Sequence, residues 1–87
     1  VGKKGYEAWR TEVFKRDGYK CVICNKREGA LNAHHLDGWN WCKEKRVDIE
    51  NGVTLCKKHH SDFHNIYKYG DNSKEQFEEY KKLKSVI

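Results

Sequence analysis

Apolar positions near the start of the chain recur with helical spacing. Tyr6, Trp9, Val13 and Phe14 fall near i, i+3, i+7 and i+8, which predicts an amphipathic helix over 6–15 with Trp9 and Phe14 in a core. Asp17 and Gly18 predict its end, glycine being common just past a helix. Over 30–36 the pattern changes to alternation, Leu31 and Ala33 against Asn32 and His34, the mark of a short strand. Adjacent strand residues point to opposite faces, so His34 and His35 either divide their work or sit where the strand breaks. Asn51-Gly52 predicts a turn, with Val53 to Leu55 a short strand leaving it. A helix is expected over about 57–67, its N-terminus favourable to anions, with Gly70 and Asp71 breaking it. Ser73 with Gln76 three residues on is a capping-box pattern. The helix it opens carries an apolar stripe of Phe77, Tyr80, Leu83 and Val86 or Ile87.

Between Asp37 and Asn51 neither a period of 2 nor one of 3.6 emerges. This predicts a long loop, and loops of that length inside a small domain are usually functional. Trp39 and Trp41 are expected to pin it to the body, with stacking on bases as the alternative. Lys43, Lys45 and Arg46 are expected to form a solvated face that also touches phosphates.

At 87 residues the chain is short, near the size at which an apolar core alone is marginal and a structural metal commonly makes up the deficit. Its formal charge of +5 suits an anionic partner, nucleic acid first among them. No run is long and apolar enough to span a membrane. The start VGKKGYEAWR has charges but no apolar signal segment, and a cytoplasmic location is expected. Four cysteines could make two disulfides in a secreted protein. Their spacing argues for metal instead: C-x-x-C at Cys21 and Cys24 is matched by C-x-x-H at Cys56 and His59. These four make a closed tetrahedral set, which reads as a structural zinc site. Cys42 is left as a spare thiol.

The densest stretch is CKKHHSDFH, 56–64. A helix turns about 100° per residue, so His60 and His64 share a face while His59 points away. His59 can then serve one metal while His60 and His64 serve another. A finger built from Cys21, Cys24, His60 and His64 would need a spacer several times longer than the roughly twelve residues such fingers use. It would also strand Cys56 and His59. His34, His60 and His64 remain, with His35 beside them. Two or three imidazoles with positions left open suit a hydrolytic metal, and a neutral histidine can deprotonate water near neutral pH.

The order C-x-x-C, LNAHHL, then ENGVTLC-x-x-HH-x-x-x-H resembles the HNH endonuclease family, particularly its zinc-knuckle members from phage and bacterial genomes. WRTEVFKRDGYKCVIC is similar to the helix and knuckle that usually precede the motif. The resemblance covers roughly 9–64. It implies an α+β fold with a ββα-metal core of two short strands and one helix around a single divalent ion. Over 1–87 it implies one nuclease domain, with a core of about 9–67 and a packing helix over 73–87. It makes His34, His60 and His64 ligands of the catalytic metal, His35 the general base, and Asn51 the residue that braces the loop and orients that base. A three-imidazole set is softer than one with a carboxylate, favouring Mn2+, Ni2+, Co2+ or Zn2+ over Mg2+.

The expected function is metal-dependent hydrolysis of DNA phosphodiesters, by nicking and with low sequence specificity. The family implies 5′-phosphate and 3′-hydroxyl ends. Lys15, Arg16, Lys57 and Lys58, with Lys43, Lys45 and Arg46, are the expected phosphate contacts. A monomer is expected, any specificity coming from a partner protein. The alternatives are a zinc-dependent nucleic-acid binding module without catalysis and a nuclease acting on RNA.

Overall fold

A computed structural model describes the backbone of residues 2–85 except Glu28, and side chains from Gly5 onward. It is a small α+β fold of three helices and a two-stranded antiparallel sheet: α1 (Gly2–Arg16), β1 (Leu31–His35), β2 (Gly52–Cys56), α2 (Lys57–Tyr67) and α3 (Lys74–Ser85). Val86 and Ile87, expected at the end of the last apolar stripe, lie outside the described residues.

Helix α1 begins earlier than its apolar spacing predicts. Gly5 lies beneath Val47, where a Cβ would sit 3.5 Å from Cγ1, so the first turn is covered by the loop before β2. Its end follows the sequence signal. Gly18 adopts φ 70°, and the amides of Gly18 and Tyr19 donate back to the carbonyls of Lys15 and Phe14 at 3.1 and 2.9 Å. That Schellman arrangement satisfies carbonyls the helix leaves over. Lys15 and Arg16 in the last turn complement the dipole.

The strands pair with Leu31 opposite Cys56, His34 opposite Val53 and His35 opposite Gly52. α1 lies on one face, with Trp9 and Val13 against Gly52. On the other, Leu55 and Leu36 join Phe63 of α2 and Phe77 and Tyr80 of α3 in the buried cluster.

The Asn51-Gly52 turn expected from sequence is absent. Gly52 is extended, φ −135° and ψ 150°, and opens β2. Glycine stands there because a Cβ would lie 2.5 Å from Trp9 Cζ2 and 2.6 Å from Val13 Cγ2; it lets α1 rest on the strand backbone. The stretch from Asp37 to Asn51 is likewise more ordered than a plain loop, with 3-10 turns at Lys43–Lys45 and Ile49–Asn51. Such i to i+3 turns are too short to leave a periodic signature.

α3 opens on its capping box: Ser73 Oγ accepts from the Gln76 amide and Gln76 Oε1 from the Ser73 amide, both at 3.2 Å. Phe77 and Tyr80 are buried as expected, but Leu83 is 55% exposed. The docking stripe runs instead through Phe77, Tyr80 and Lys84. Lys84 pairs with Asp62 of α2 at 2.8 Å, and Tyr80 Oη donates to the same carboxylate at 2.9 Å.

Candidate metal and catalytic centre

α2 carries His59 for one of two clusters, with Cys56 immediately before the helix, and His60 and His64 for the other. Ligand atoms of Cys21, Cys24, Cys56 and His59 all lie within 4.8 Å of one another, and so do those of His34, His60 and His64. His59 and His60 are neighbours in sequence, yet helical rotation sends them to different clusters.

The cysteine cluster is built by two local devices. Cys21 to Cys24 form a turn closed by Asn25 N donating to Cys21 O at 2.8 Å, with Asn25 at φ 63°. Val22 N donates to Thr54 O at 3.0 Å and fastens this turn to β2. Cys56 is the N-cap of α2. Burial pushes its thiol up, but the backbone amide of His59, the side chains of Cys21 and Cys24 and the amide of Lys58 together outweigh that and hold it below the usual thiol range. The thiolate is the form a metal binds. Cys24 Sγ and Cys56 Sγ stand 3.9 Å apart. Two thiolates on one ion at about 2.3 Å each would stand roughly 3.8 Å apart, so the spacing fits shared coordination. All four cysteines are free. Cys42 is buried, with its thiol 3.9 Å from Glu44, and belongs to neither cluster.

In the histidine cluster, His60 Nε2 and His64 Nε2 are 3.2 Å apart, and imidazole nitrogens on one ion at about 2.0–2.1 Å would be roughly 3.3 Å apart. His64 Nδ1 donates to Lys68 O at 3.1 Å, which leaves the lone pair on Nε2, the arrangement usual for a metal-binding histidine. His34 is 4% exposed, and its Nε2 has no hydrogen-bond partner among the described residues. Burial, then repulsion by His60 and His64, pushes its pKa down to about 3. Burial also lowers His60. Both rings are therefore neutral at pH 7, as ligands must be.

His35 occupies the other face of β1, as strand alternation requires. Its ring stacks on Trp9, with centroids 3.8 Å apart and planes 12° from parallel. His35 Nε2 lies 2.8 Å from Arg46 O. A carbonyl oxygen only accepts, so Nε2 carries the proton and the neutral ring keeps its lone pair on Nδ1. Burial lowers its pKa, outweighing the opposite pull of that hydrogen bond.

The carbonyl is held from below. Asn51 is 4% exposed; its Oδ1 accepts from Asp37 N at 2.8 Å, and its Nδ2 donates to Asp37 O at 3.0 Å and Lys45 O at 3.2 Å. Lys45 precedes the residue whose carbonyl meets His35. Asp37 extends the brace through its carboxylate, which accepts from Lys74 N at 2.9 Å and Lys45 Nζ at 3.0 Å. Burial pushes that carboxyl up, but these donors hold it below its usual range. Nothing in the sequence marks Asp37 beyond its place before a glycine. The support that Trp9 gives His35 is also invisible there, since a helix-spaced tryptophan reads only as core.

His34, His35, His60 and His64 all line one cleft of about 290 Å³, with Gly38, Trp39 and Asn72 among its walls. The expected phosphate-binding side chains are placed differently from one another. Lys57 and Lys58 are exposed on the first turn of α2, and Lys43 is exposed in the loop. Lys15 is exposed beside Glu12 at 3.5 Å. Lys45 is paired with Asp37. Arg46 donates through Nε to Trp39 O at 2.8 Å. Arg16 donates to both Asp17 carboxylate oxygens, Ile49 O and Gly52 O, which occupies four of the five N–H groups a guanidinium has. Its charge is bound into the fold, joining α1 to the start of β2.

A family model described as HNH endonuclease matches residues 21–67, just over half of the chain. The chain is also similar to a protein of Nostoc sp. called Anaredoxin, with 30% identity over 64 residues, 71% of this chain and 82% of that protein. No solved structure matches. The matched segment contains both clusters, His35 and Asn51, and the chain belongs to the HNH endonuclease family.

Proposed function

We propose that this chain is a divalent-metal-dependent DNA endonuclease in which β1, β2 and α2 form a ββα-metal core. The observation that carries the reading is the state of His35. Its proton is fixed on Nε2 by the Arg46 carbonyl, its Nδ1 lone pair is free, and it shares a cleft with His34, His60 and His64.

Cys21, Cys24, Cys56 and His59 would hold a structural zinc, leaving no coordination position open. His34, His60 and His64 would hold the catalytic ion, which supplies stabilisation of the charge developing on the phosphoryl group and the leaving oxygen. His35 takes a proton from water at Nδ1 as the water oxygen attacks phosphorus in line. The bond from phosphorus to the 3′ oxygen breaks, that oxygen gains a proton from solvent, and the ends are a 5′-phosphate and a 3′-hydroxyl. Asn51 acts as a positioning residue: it fixes the loop carbonyl that fixes the tautomer and plane of His35. Lys57, Lys58 and Lys43 attract the backbone without reading sequence. The whole of 1–87 acts as one domain, since α1 supports His35 and α3 closes the core over Phe63.

The test is conversion of supercoiled plasmid to the nicked circle with added Mn2+ or Mg2+, beside an RNA substrate. Cutting of DNA that is lost in His35→Ala is the expected result. Binding without cutting under every metal would favour a non-catalytic module, and cutting of RNA alone would move the substrate class.

A further inference from the structure

Trp39 is not used by the chemistry above, and its setting is unusual for a loop tryptophan. It is 43% exposed, yet held on several sides. Arg46 lies over its ring, 4.5 Å from the centroid, and also donates to its carbonyl. Tyr6 and His35 meet it edge to face, with centroids at 5.8 and 5.4 Å. Trp41, equally exposed, has its indole N–H tied to Asn72 O at 2.7 Å and so pins the loop. No hydrogen bond holds the Trp39 indole N–H among the described residues, and its ring lines the histidine cleft.

We infer that Trp39, buttressed by Arg46, is a stacking platform for one unpaired base beside the phosphate being cut, so that the preferred substrate strand is single-stranded or locally open. This rests on the nuclease reading and names the form of its substrate. An aromatic face can receive a base only when that base has left its own stack, because a duplex buries both faces of its bases. The platform's centroid lies 5.4 Å from that of His35, so a base on Trp39 and a phosphate before His35 belong to the same or adjacent nucleotides. The guanidinium over the ring adds positive charge where a strand must pass. Stacking on such a residue is tolerant of base identity.

Binding, read without cleavage, tests this. The full zinc-loaded chain carrying His60→Ala, which does not touch Trp39, is titrated with a labelled oligothymidylate, an abasic strand of equal length and charge, and a duplex. The thymidylate strand should bind about tenfold more tightly than the abasic strand, the size expected for one base–aromatic stack. Trp39→Ala should erase that ratio while leaving abasic-strand and duplex affinities within about twofold, since their phosphate contacts are untouched. Trp39→Phe should retain most of it, and raising salt should weaken both strands while preserving the ratio. Equal binding of thymidylate and abasic strands would overturn the inference, as would a ratio that survives Trp39→Ala or a duplex loss equal to the single-strand loss. If Trp39→Ala does not fold, the strand comparison and the phenylalanine variant still decide. Failure of the unsubstituted chain to nick plasmid is a separate result, bearing on the nuclease reading alone.

Discussion

The two ligand clusters share a helix and differ in how far the protein itself completes them. Around Cys56 the chain gathers four groups that could hold a metal, three of them sulfur, from a turn locked to β2 and from the cap and first turn of α2. Around His60 it gathers three imidazoles and then stops, at a cleft with a further histidine on its wall. The first arrangement has nothing left to offer a substrate. On the proposed reading, the second would leave coordination to be completed from outside, with His35 on the wall of the same cleft to accept a proton. One helix thus serves two unlike clusters, by the difference of a single residue along its turn.

The sharpest way to break this contrast is to remove ligands from each side. Cys56→Ser should abolish the cooperative thermal transition, because metal binding in so small a domain is folding free energy. His64→Ala should keep a cooperative transition and lose nicking. Equal melts for the two variants would erase the distinction. Next in size, His35→Ala should lower the nicking rate by about 10²–10⁴-fold, the range for a general base. Its melting point should fall by about 2–12 °C with the cooperative transition kept, since one aromatic stack is worth about 0.5–1.5 kcal/mol. Burial lowers the pKa of His35, so the proton-accepting form persists into mild acid. The rate of the unsubstituted chain should rise with pH along a limb whose midpoint lies below the ordinary imidazole value; a midpoint above it would contradict the geometry.

Asn51→Ala tests the link between the halves of this picture. It leaves an amide and two carbonyls of the loop without partners, at about 1–3 kcal/mol for each group that water does not reach. Activity should fall while zinc content stays at that of the unsubstituted chain. The smallest effect belongs to Ser73→Ala, which removes a helix cap and no member of either cluster. Loss of the α3 cap should cost about 1 kcal/mol, roughly 4–8 °C in a domain of this size, with nicking at permissive temperature unchanged.

Much of this was legible because ligand chemistry is local. The C-x-x-C and C-x-x-H spacings and the i, i+4 histidines do not depend on distant packing, and α2 runs from Lys57 to Tyr67 as its flanking residues predict. The opposite placement of His34 and His35 follows from strand alternation alone. What failed to show in the sequence depends on contacts between remote segments. Asn51-Gly52 looks like a turn to any local rule, yet the glycine answers to Trp9 and Val13, some forty residues earlier. Arg16 looks like a free cation until the carbonyls of Ile49 and Gly52 are seen around it. Leu83 reads as part of an apolar stripe, but α3 docks through Phe77 and Tyr80, and Lys84 rather than Leu83 meets α2, at Asp62.

The stack of His35 on Trp9 bears on where this domain can be cut. The family match spans 21–67, which holds every ligand but neither the tryptophan beneath His35 nor Phe77 and Tyr80 against Phe63. A fragment trimmed to that span would keep the whole motif and present His35 with one bare face. Phe63 would turn to solvent where α3 had covered it. A shared sequence motif therefore marks out less chain than its packing needs, and the structural boundary of this domain lies in the helices that flank it.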